Sequence, residues 1–550
     1  MDPTGTPINS VRLLWLLLLL PALGLAGGDE SGDGDWRVRG DTTARMEYYS
    51  ISGDRELGTY AEDGLQAYQD LNLGLTRGGD GEPLWDIDFS SVVSGSDYRT
   101  QDHGTRIEYL RLHHENATSP VPYRVDLGDQ QAYFSRLSLD RDVRGARLEM
   151  QPELGRAEHS LVWLSGSYRR HWYDDDETRL PHLVEPEGDY HGASWLVTDP
   201  TLGDWSLNVV HHDEMAFTGE EHRHLVTSVA GDWGMEFMRQ DLDAQAELAR
   251  LEGQAWSGLQ DDSVRAVDDR GWRASLAGED HLLPLPLDYS VRYERFGADF
   301  EPAGTEVVSD SRTLAAAAGL QLTDRTRLRG RFNRYRDAAA TANPIRIDEH
   351  GMEVAVPFGI GPVHTNHRVD VLHRERADRV GGVDQLTRRA TWDLELPVTD
   401  SQETHMNLYW LHLDDRASGR FARTERRASL AHSAGFRVGD LDVSAAPGVA
   451  YRTRDGHLEQ HAVHPTLSLA ATGALHELGV SLGYRTLERP GLVSPDVDEY
   501  QLSMDWRYRM NRHQFGLEYE HQLVEPHVQE EHLDQWRAGM FWRYDFSGEG

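Results

Sequence analysis

Trp536-Arg537-Ala538-Gly539-Met540-Phe541-Trp542-Arg543-Tyr544-Asp545-Phe546 is apolar at every even position, and its odd positions are charged or glycine except for Phe541. Side chains on a strand point alternately to its two faces, so this stretch has one oily, aromatic-flanked face and one charged face. The pattern recurs upstream. Leu502, Met504, Trp506, Tyr508 and Met510 alternate with Ser503, Asp505, Arg507 and Arg509. After Asn511-Arg512, Phe515, Leu517 and Tyr519 alternate with Gln514, Gly516, Glu518 and Glu520. Two alternating runs joined by a two-residue polar link predict a hairpin. Leu478–Arg485, Leu287–Glu294, Trp85–Ser90 and Leu71–Thr76 repeat the motif, which begins at Trp36.

Roughly 24–26 such runs fill the chain, and about 20 residues per strand and connection give a similar number. The expected fold is therefore all-β: a large antiparallel up-and-down transmembrane β-barrel without a plug domain. A mean hydropathy of −0.61 fits, because only one face of each strand would meet lipid. A soluble sandwich would hide its apolar face in a shared core and has no need of an aromatic-flanked outer band. No fixed-period repeat favours a solenoid. The closing run resembles the last strand of bacterial outer-membrane barrels, which end in alternating apolar residues and a terminal Phe. That resemblance implies surroundings of outer-membrane lipid and lipopolysaccharide. It also implies reading of Trp542, Tyr544 and Phe546 by the barrel-assembly machinery.

The organisation expected along the chain is a signal peptide over 1–26, an acidic lead over 27–35, the barrel over 36–546 and a tail over 547–550. Arg12 precedes the apolar run Leu13–Leu20, and Gly24-Leu25-Ala26 supplies small residues for cleavage near Ala26, as in a secretory signal. Export to the outer membrane of a Gram-negative bacterium follows as the expected localisation. The sequence has no Cys, so it forms no disulfide, thiolate metal site or lipid-anchored Cys. Its 92 acids outnumber 55 bases for a net charge of −37, all the bases being Arg, which argues against nucleic acid as a partner. Such an acidic, Lys-free composition resembles that of halophilic bacteria. The short lead before Trp36 leaves no room for a plug like that of TonB-dependent receptors, so a bare, wide lumen is expected. Longer connections are expected at Tyr173–Tyr190, His211–His224, Gln254–Asp269, Arg376–Asp384, Asp414–Glu425, Glu488–Asp498 and Val524–Asp534.

The inward parity is rich in charge. Arg325, Arg327, Arg329 and Arg331 share one face opposite Leu328, Gly330 and Phe332. Arg368, Asp370 and Arg374 lie opposite Val369 and Val371, and Arg389, Asp393 and Glu395 opposite Ala390, Trp392 and Leu394. Asp505, Arg507, Arg509, Arg537 and Arg543 complete the candidate lumen lining. Such ladders either guide ions or close cross-strand ion pairs that brace the wall, and acids on the same faces favour bracing.

His457-x-Glu459-x-His461, His222-x-His224 beside Glu220 and Glu221, and Asp174–Glu177 read as solvated rim residues rather than metal sites. No hydrolase motif or phosphate-binding loop occurs, and no catalytic residue, cofactor or metal is assigned. Arg124-Val125-Asp126-Leu127-Gly128-Asp129, with Phe134–Leu137 and Arg144-Gly145-Ala146, looks like a phrase of large export barrels that marks early hairpins.

The expected function is a monomeric channel or conduit with a charged, hydrated lumen, passing a solute or an exported polymer. A second reading is a sheath resembling the porin half of porin–cytochrome conduits, with a lumenal or periplasmic protein partner. A third is an enzyme with its site at the outer rim.

Overall fold

A computed structural model of the chain describes residues 36–546 apart from 54–62, 80–81, 97–103, 169–186, 216–220, 238–239, 257–263, 281–284, 303–304, 306, 324, 338–343, 361–362, 379–381, 418–420, 457–458, 489–495 and 528–531. The expected signal peptide, acidic lead and tail, with Asp174–Glu177, Glu220 and His457, lie outside the described residues.

The strands are β1 (Arg37–Gly53), β2 (Gly64–Gly79), β3 (Glu82–Ser96), β4 (Gly104–Asn116), β5 (Tyr123–Ser135), β6 (Leu139–Met150), β7 (Glu153–Leu154), β8 (Ala157–Tyr168) and β9 (Glu187–Asp199). Next come β10 (Gly203–Met215), β11 (Glu221–Phe237), β12 (Gln240–Trp256), β13 (Val264–Asp280), β14 (Leu287–Phe296), β15 (Ser311–Thr323), β16 (Thr326–Asp337), β17 (Ile345–Ile360) and β18 (Val363–Asp378). The last are β19 (Asp384–Thr399), β20 (Gln402–Asp415), β21 (Phe421–Val438), β22 (Leu441–Asp455), β23 (Gln460–Thr472), β24 (His476–Glu488), β25 (Val497–Met510), β26 (His513–Pro526) and β27 (Leu533–Asp545). The two-residue β7 pairs only with the start of β8, so 27 strands less this one leave 26 staves.

Each stave pairs antiparallel with its sequence neighbour, and β1 closes on β27 from Asp41↔Asp545 to Gly53↔Leu533. The Phe546 N–H extends the seam by donating to the Gly40 carbonyl at 2.7 Å. Closure satisfies the backbone and removes every sheet edge at the seam, the condition for a sheet to cross lipid. An even stave number brings both ends of the ring to one side.

The alternation resolves as expected. Trp163, Leu248, Leu517 and Met540 stand at least half exposed on the outside, while their odd–even neighbours face inward. Near the chain end an aromatic band forms on the outer face: Trp542 donates its indole N–H to His513 Nδ1 at 3.1 Å, and Tyr544 meets Phe546 edge-on at 5.2 Å. Phe541, the apolar exception, faces inward and covers Gly516 on β26. A Cβ at Gly516 would lie 2.0 Å from its ring.

Connections at one end are tight. Met510 turns to His513 through Asn511, whose φ of 53° is the left-handed conformation Asn tolerates. At the other end the strands run further than the sequence suggested. Asp414–Glu425 contains the end of β20 and the start of β21, and Gln254–Asp269 the end of β12 and the start of β13. Charged side chains on the inner face there continue the strands, although they read as loop.

Just beyond β26, His527 Nε2 bonds Asp498 Oδ2 at 3.0 Å, and this partner raises the imidazole pKa above its usual 6.5. A raised folded pKa stabilises below the unfolded value and loses that contribution as pH rises through the raised one. An NMR titration should therefore place the His527 midpoint above 6.5, and Asp498→Asn should move it back toward that value. An unshifted midpoint in the parent protein would refute the bond.

Candidate functional site in the lumen

The barrel is not bare. β5 begins in the wall and leaves it, and β6 returns from the hairpin tip to the wall. β5 pairs with β4 only from Asn116↔Tyr123 to Arg111↔Gly128, and β6 with β8 only from Met150↔Leu161 to Arg144↔Ser167. Beyond those limits the two strands pair with each other alone, up to Ser135↔Leu139. The departure line is a row of three glycines in register, Gly128↔Gly145 and Gly145↔Gly166. Gly128 has φ +98°, and a Cβ there would lie 2.1 Å from the Leu110 carbonyl oxygen. A Cβ at Gly145 would lie 2.1 Å from the Ser165 oxygen, so neither position admits a side chain as the strands stand.

The next residue caps the break. Asp129 Oδ2 accepts the Leu110 backbone N–H at 2.8 Å, and its Oδ1 accepts Arg144 Nε at 2.5 Å. The carboxylate thus supplies an acceptor to a strand edge that has lost its neighbour. Below the line, Asp126 is buried and accepts from Arg111 at 2.8 Å and Arg124 at 2.9 Å and bonds His113 Nδ1 at 2.8 Å, pinning the hairpin's root.

Above the line the hairpin lies on the inner wall. Ala132, Phe134, Leu139 and Val143 pack on Val162 and Leu164 of β8, Tyr190 of β9 and Val210 of β10. The Phe134 ring rests over Gly192, where a Cβ would be 2.5 Å away. Leu137, at the tip, enters a second cluster with Val226, Ala249, Leu251, Val267, Phe296 and Phe300. These wall residues have the inward parity, since Trp163, Val209, Leu225 and Leu248 beside them are exposed outside.

The tip is also hydrogen-bonded. Buried Glu247 of β12 accepts from Ser135 Oγ at 2.6 Å and the Leu137 N–H at 3.1 Å. Ser135 Oγ also lies 3.0 Å from Ser228 Oγ, which accepts from Asn208 Nδ2 at 3.0 Å. A buried carboxylate needs such donors to offset its desolvation. Farther down the hairpin, Arg141 donates to the Tyr190 hydroxyl at 2.7 Å. The opposite face presents Gln131, Tyr133, Arg136, Asp140 and Asp142. His224, read as a solvated rim residue, is instead buried edge-on against His212 at 5.1 Å, because β11 carries it along the inner face.

The sequence-derived candidates lie on the parity facing away from the apolar exterior, and most are paired. Arg327 bonds Asp288 at 2.8 Å, Arg331 and Arg389 share Asp370 at 2.9 and 3.1 Å, and Arg368 bonds Glu353 at 2.8 Å. Arg507 and Arg509 both approach Glu477 at 3.9 Å, and Arg543 lies 3.4 Å from Asp41. Arg537 ties the seam, reaching Glu47 at 3.1 Å and Glu520 at 2.8 Å. Asp393 accepts from Asn407 at 2.5 Å, Glu395 from Asn366 at 3.5 Å, and Asp505 lies over Gly479. Arg325, Arg368, Asp393 and Glu395 line one groove of about 430 Å³, and Arg329 lines another with Asp288 and Asp243. Arg374 makes no ion pair among the described residues. Cross-strand pairing, not an uninterrupted ladder of free arginines, is what the wall shows. Among the described residues no three His, Asp or Glu converge as a metal set.

No protein-family model matches this chain, and no curated protein matches it. Solved structures overlap it loosely. An Escherichia coli P pilus tip assembly intermediate, PapC-PapD-PapK-PapG, has TM-score 0.44 at 9% identity over 96% of this chain and 63% of that one. Pseudomonas aeruginosa OccK3 (OpdO) has TM-score 0.32 at 13% identity over 62% and 93%. Wzi, an E. coli outer-membrane carbohydrate-binding β-barrel, has TM-score 0.31 at 10% identity over 67% and 85%. Superpositions this loose place no functional residue of those proteins on this chain.

Sequence reasoning missed the inward hairpin and a second feature. Glu425 of β21 is buried and ion-paired to Arg423 and Arg427 on its own strand and Arg452 on β22. Both features fall in the arrangement of one lumen: the hairpin leans on β8–β14, and the remaining arc, β15–β27 with β1–β4, carries most of the charge pairs.

Proposed function

We propose that the protein is an outer-membrane conduit, and that its passage is the lane between the hairpin's polar face and the charged arc of wall. The carrying observation is the hairpin itself, which narrows an otherwise wide ring and shows the lane a hydrophilic surface. The apolar, aromatic-flanked exterior supports placement in a bilayer, and Trp542, Tyr544 and Phe546 are the residues the assembly machinery would read. The paired arginines hydrate and brace the lane, so passage of a solute or an extended polymer needs no energy-consuming part within the barrel. An enclosing sheath would need the volume that the hairpin fills, which is why the conduit is preferred.

The hairpin is a fixed narrowing. Five buried apolar side chains, at about 1.5–3 kcal/mol for each large one, hold it with on the order of 10 kcal/mol. Displacing the hairpin would expose all of these side chains and break its bonds to Glu247, so it stays docked unless a partner's binding energy replaces those contacts. Refolded protein in a planar bilayer should show a steady, moderate conductance without spontaneous large openings. A silent bilayer, or a huge unselective current, would overturn the conduit.

A further inference from the structure

We propose that the arginines around Glu425 form a binding site for an anionic group (carboxylate, phosphate or sulfate) carried by whatever traverses the lane. Its role in passage rests on the conduit reading; the site itself does not. Arg423 Nη2 lies 2.6 Å from Glu425 Oε2, Arg427 Nη2 2.5 Å from Oε1 and Arg452 Nε 3.1 Å from Oε1. Arg454, directly opposite Glu425 on β22, makes no ion pair among the described residues. Four guanidinium groups therefore face one carboxylate, a local charge of +3 in a chain whose net charge is −37.

The donor count leads to the same place. Each guanidinium carries five N–H donors, whereas a carboxylate offers about four lone-pair sites. One carboxylate can therefore accept from only a minority of these donors. Arg423 Nε is buried without a hydrogen-bond partner in the protein. Arg427 and Arg452 are about half exposed, so their spare edges reach the lane, and Arg427 lies over the Tyr409 ring at 5.2 Å. Glu425 holds the forks in place without neutralising them. All of this lies on the inward face, because Leu430 and Tyr451 on the other parity are exposed outside. Arginine forks match planar or tetrahedral oxyanions by paired N–H···O bonds. A group with two or more negative charges fits the surplus.

Calorimetric titration of the full-length protein in detergent tests this, with inorganic pyrophosphate and a galacturonate oligomer as probes and neutral dextran as control. Saturable, salt-sensitive binding of either anion is expected, weakened about tenfold or more by Arg454→Gln and by Arg427→Gln. Pyrophosphate alone would mark a compact phosphate ligand, and galacturonate a polymer carboxylate. Arg454→Gln breaks no ion pair, so its fold should be intact, as thermal unfolding would verify. Absence of saturable binding, or binding unchanged in both variants, would overturn the site. Binding by a barrel that passes no current would instead overturn the conduit.

Discussion

Cutting the hairpin back to its root is expected to raise single-channel conductance several-fold. In this variant Asn-Gly replaces 131–142 and joins Gln130 to Val143 by a tight turn. The wall loses nothing, because Tyr123–Gly128 and Gly145–Met150 keep their pairing with β4 and β8. What disappears is the body that covers the inner face from β8 to β14. Cells carrying the variant should become sensitive to bulky antibiotics that the parent barrel excludes. Thermal stability should fall, since Val162, Leu164 and Val210 lose the side chains that cover them. An unchanged conductance would show that the hairpin does not bound the passage.

A single substitution should do part of the same work. Leu137 is 1% exposed, and Leu137→Asp would put a carboxylate among Val226, Leu251 and Phe300, close to the buried Glu247. An unpaired buried charge costs about 3–5 kcal/mol, a large share of what docks the hairpin. Conductance should become noisy, with bursts toward the level of the trimmed barrel. Because the chain has no Cys, the tip can be pinned selectively. Ser135→Cys with Ser228→Cys, at positions whose hydroxyls are 3.0 Å apart, should quiet the Leu137→Asp channel when oxidised and release it when reduced. In the parent background the same bond should change nothing, since the tip is already docked. A quiet, parent-like Leu137→Asp channel would refute the anchoring role.

The fold was legible because a membrane wall imposes one rule on every stave, and the rule is visible in residues such as Leu517, Met540 and Trp542. The interior obeys a weaker rule. Ala132 and Phe134 alternate with Gln131 and Tyr133 as any wall strand would, and parity cannot say whether the apolar face meets lipid or the inner side of the neighbouring staves. Other signals do: the glycine pair Gly128 and Gly145, the adjacent Asp129 and Arg144, and a three-residue tip with Leu at its apex where other connections on that side are long. The Glu425 cluster was hidden differently. Arg423 and Glu425 fall in the stretch Asp414–Glu425 that reads as a loop, and only the pairing of β21 with β22 brings Arg452 and Arg454 beside them.

The glycine row also gives the barrel a direction in the plane of the membrane. At β5 only six residues, Tyr123–Gly128, stand in the wall beside β4. At about 3.3 Å per residue they reach roughly 20 Å before any tilt. An outer-membrane barrel ordinarily shows lipid an apolar band about 25 Å tall, and a shorter stretch is met by thinning of the bilayer. Lipid should therefore be thinnest along this one sector and of ordinary depth against the long staves β11–β13. The protein's footprint is lopsided, and a neighbour sensitive to bilayer thickness would find it from one side.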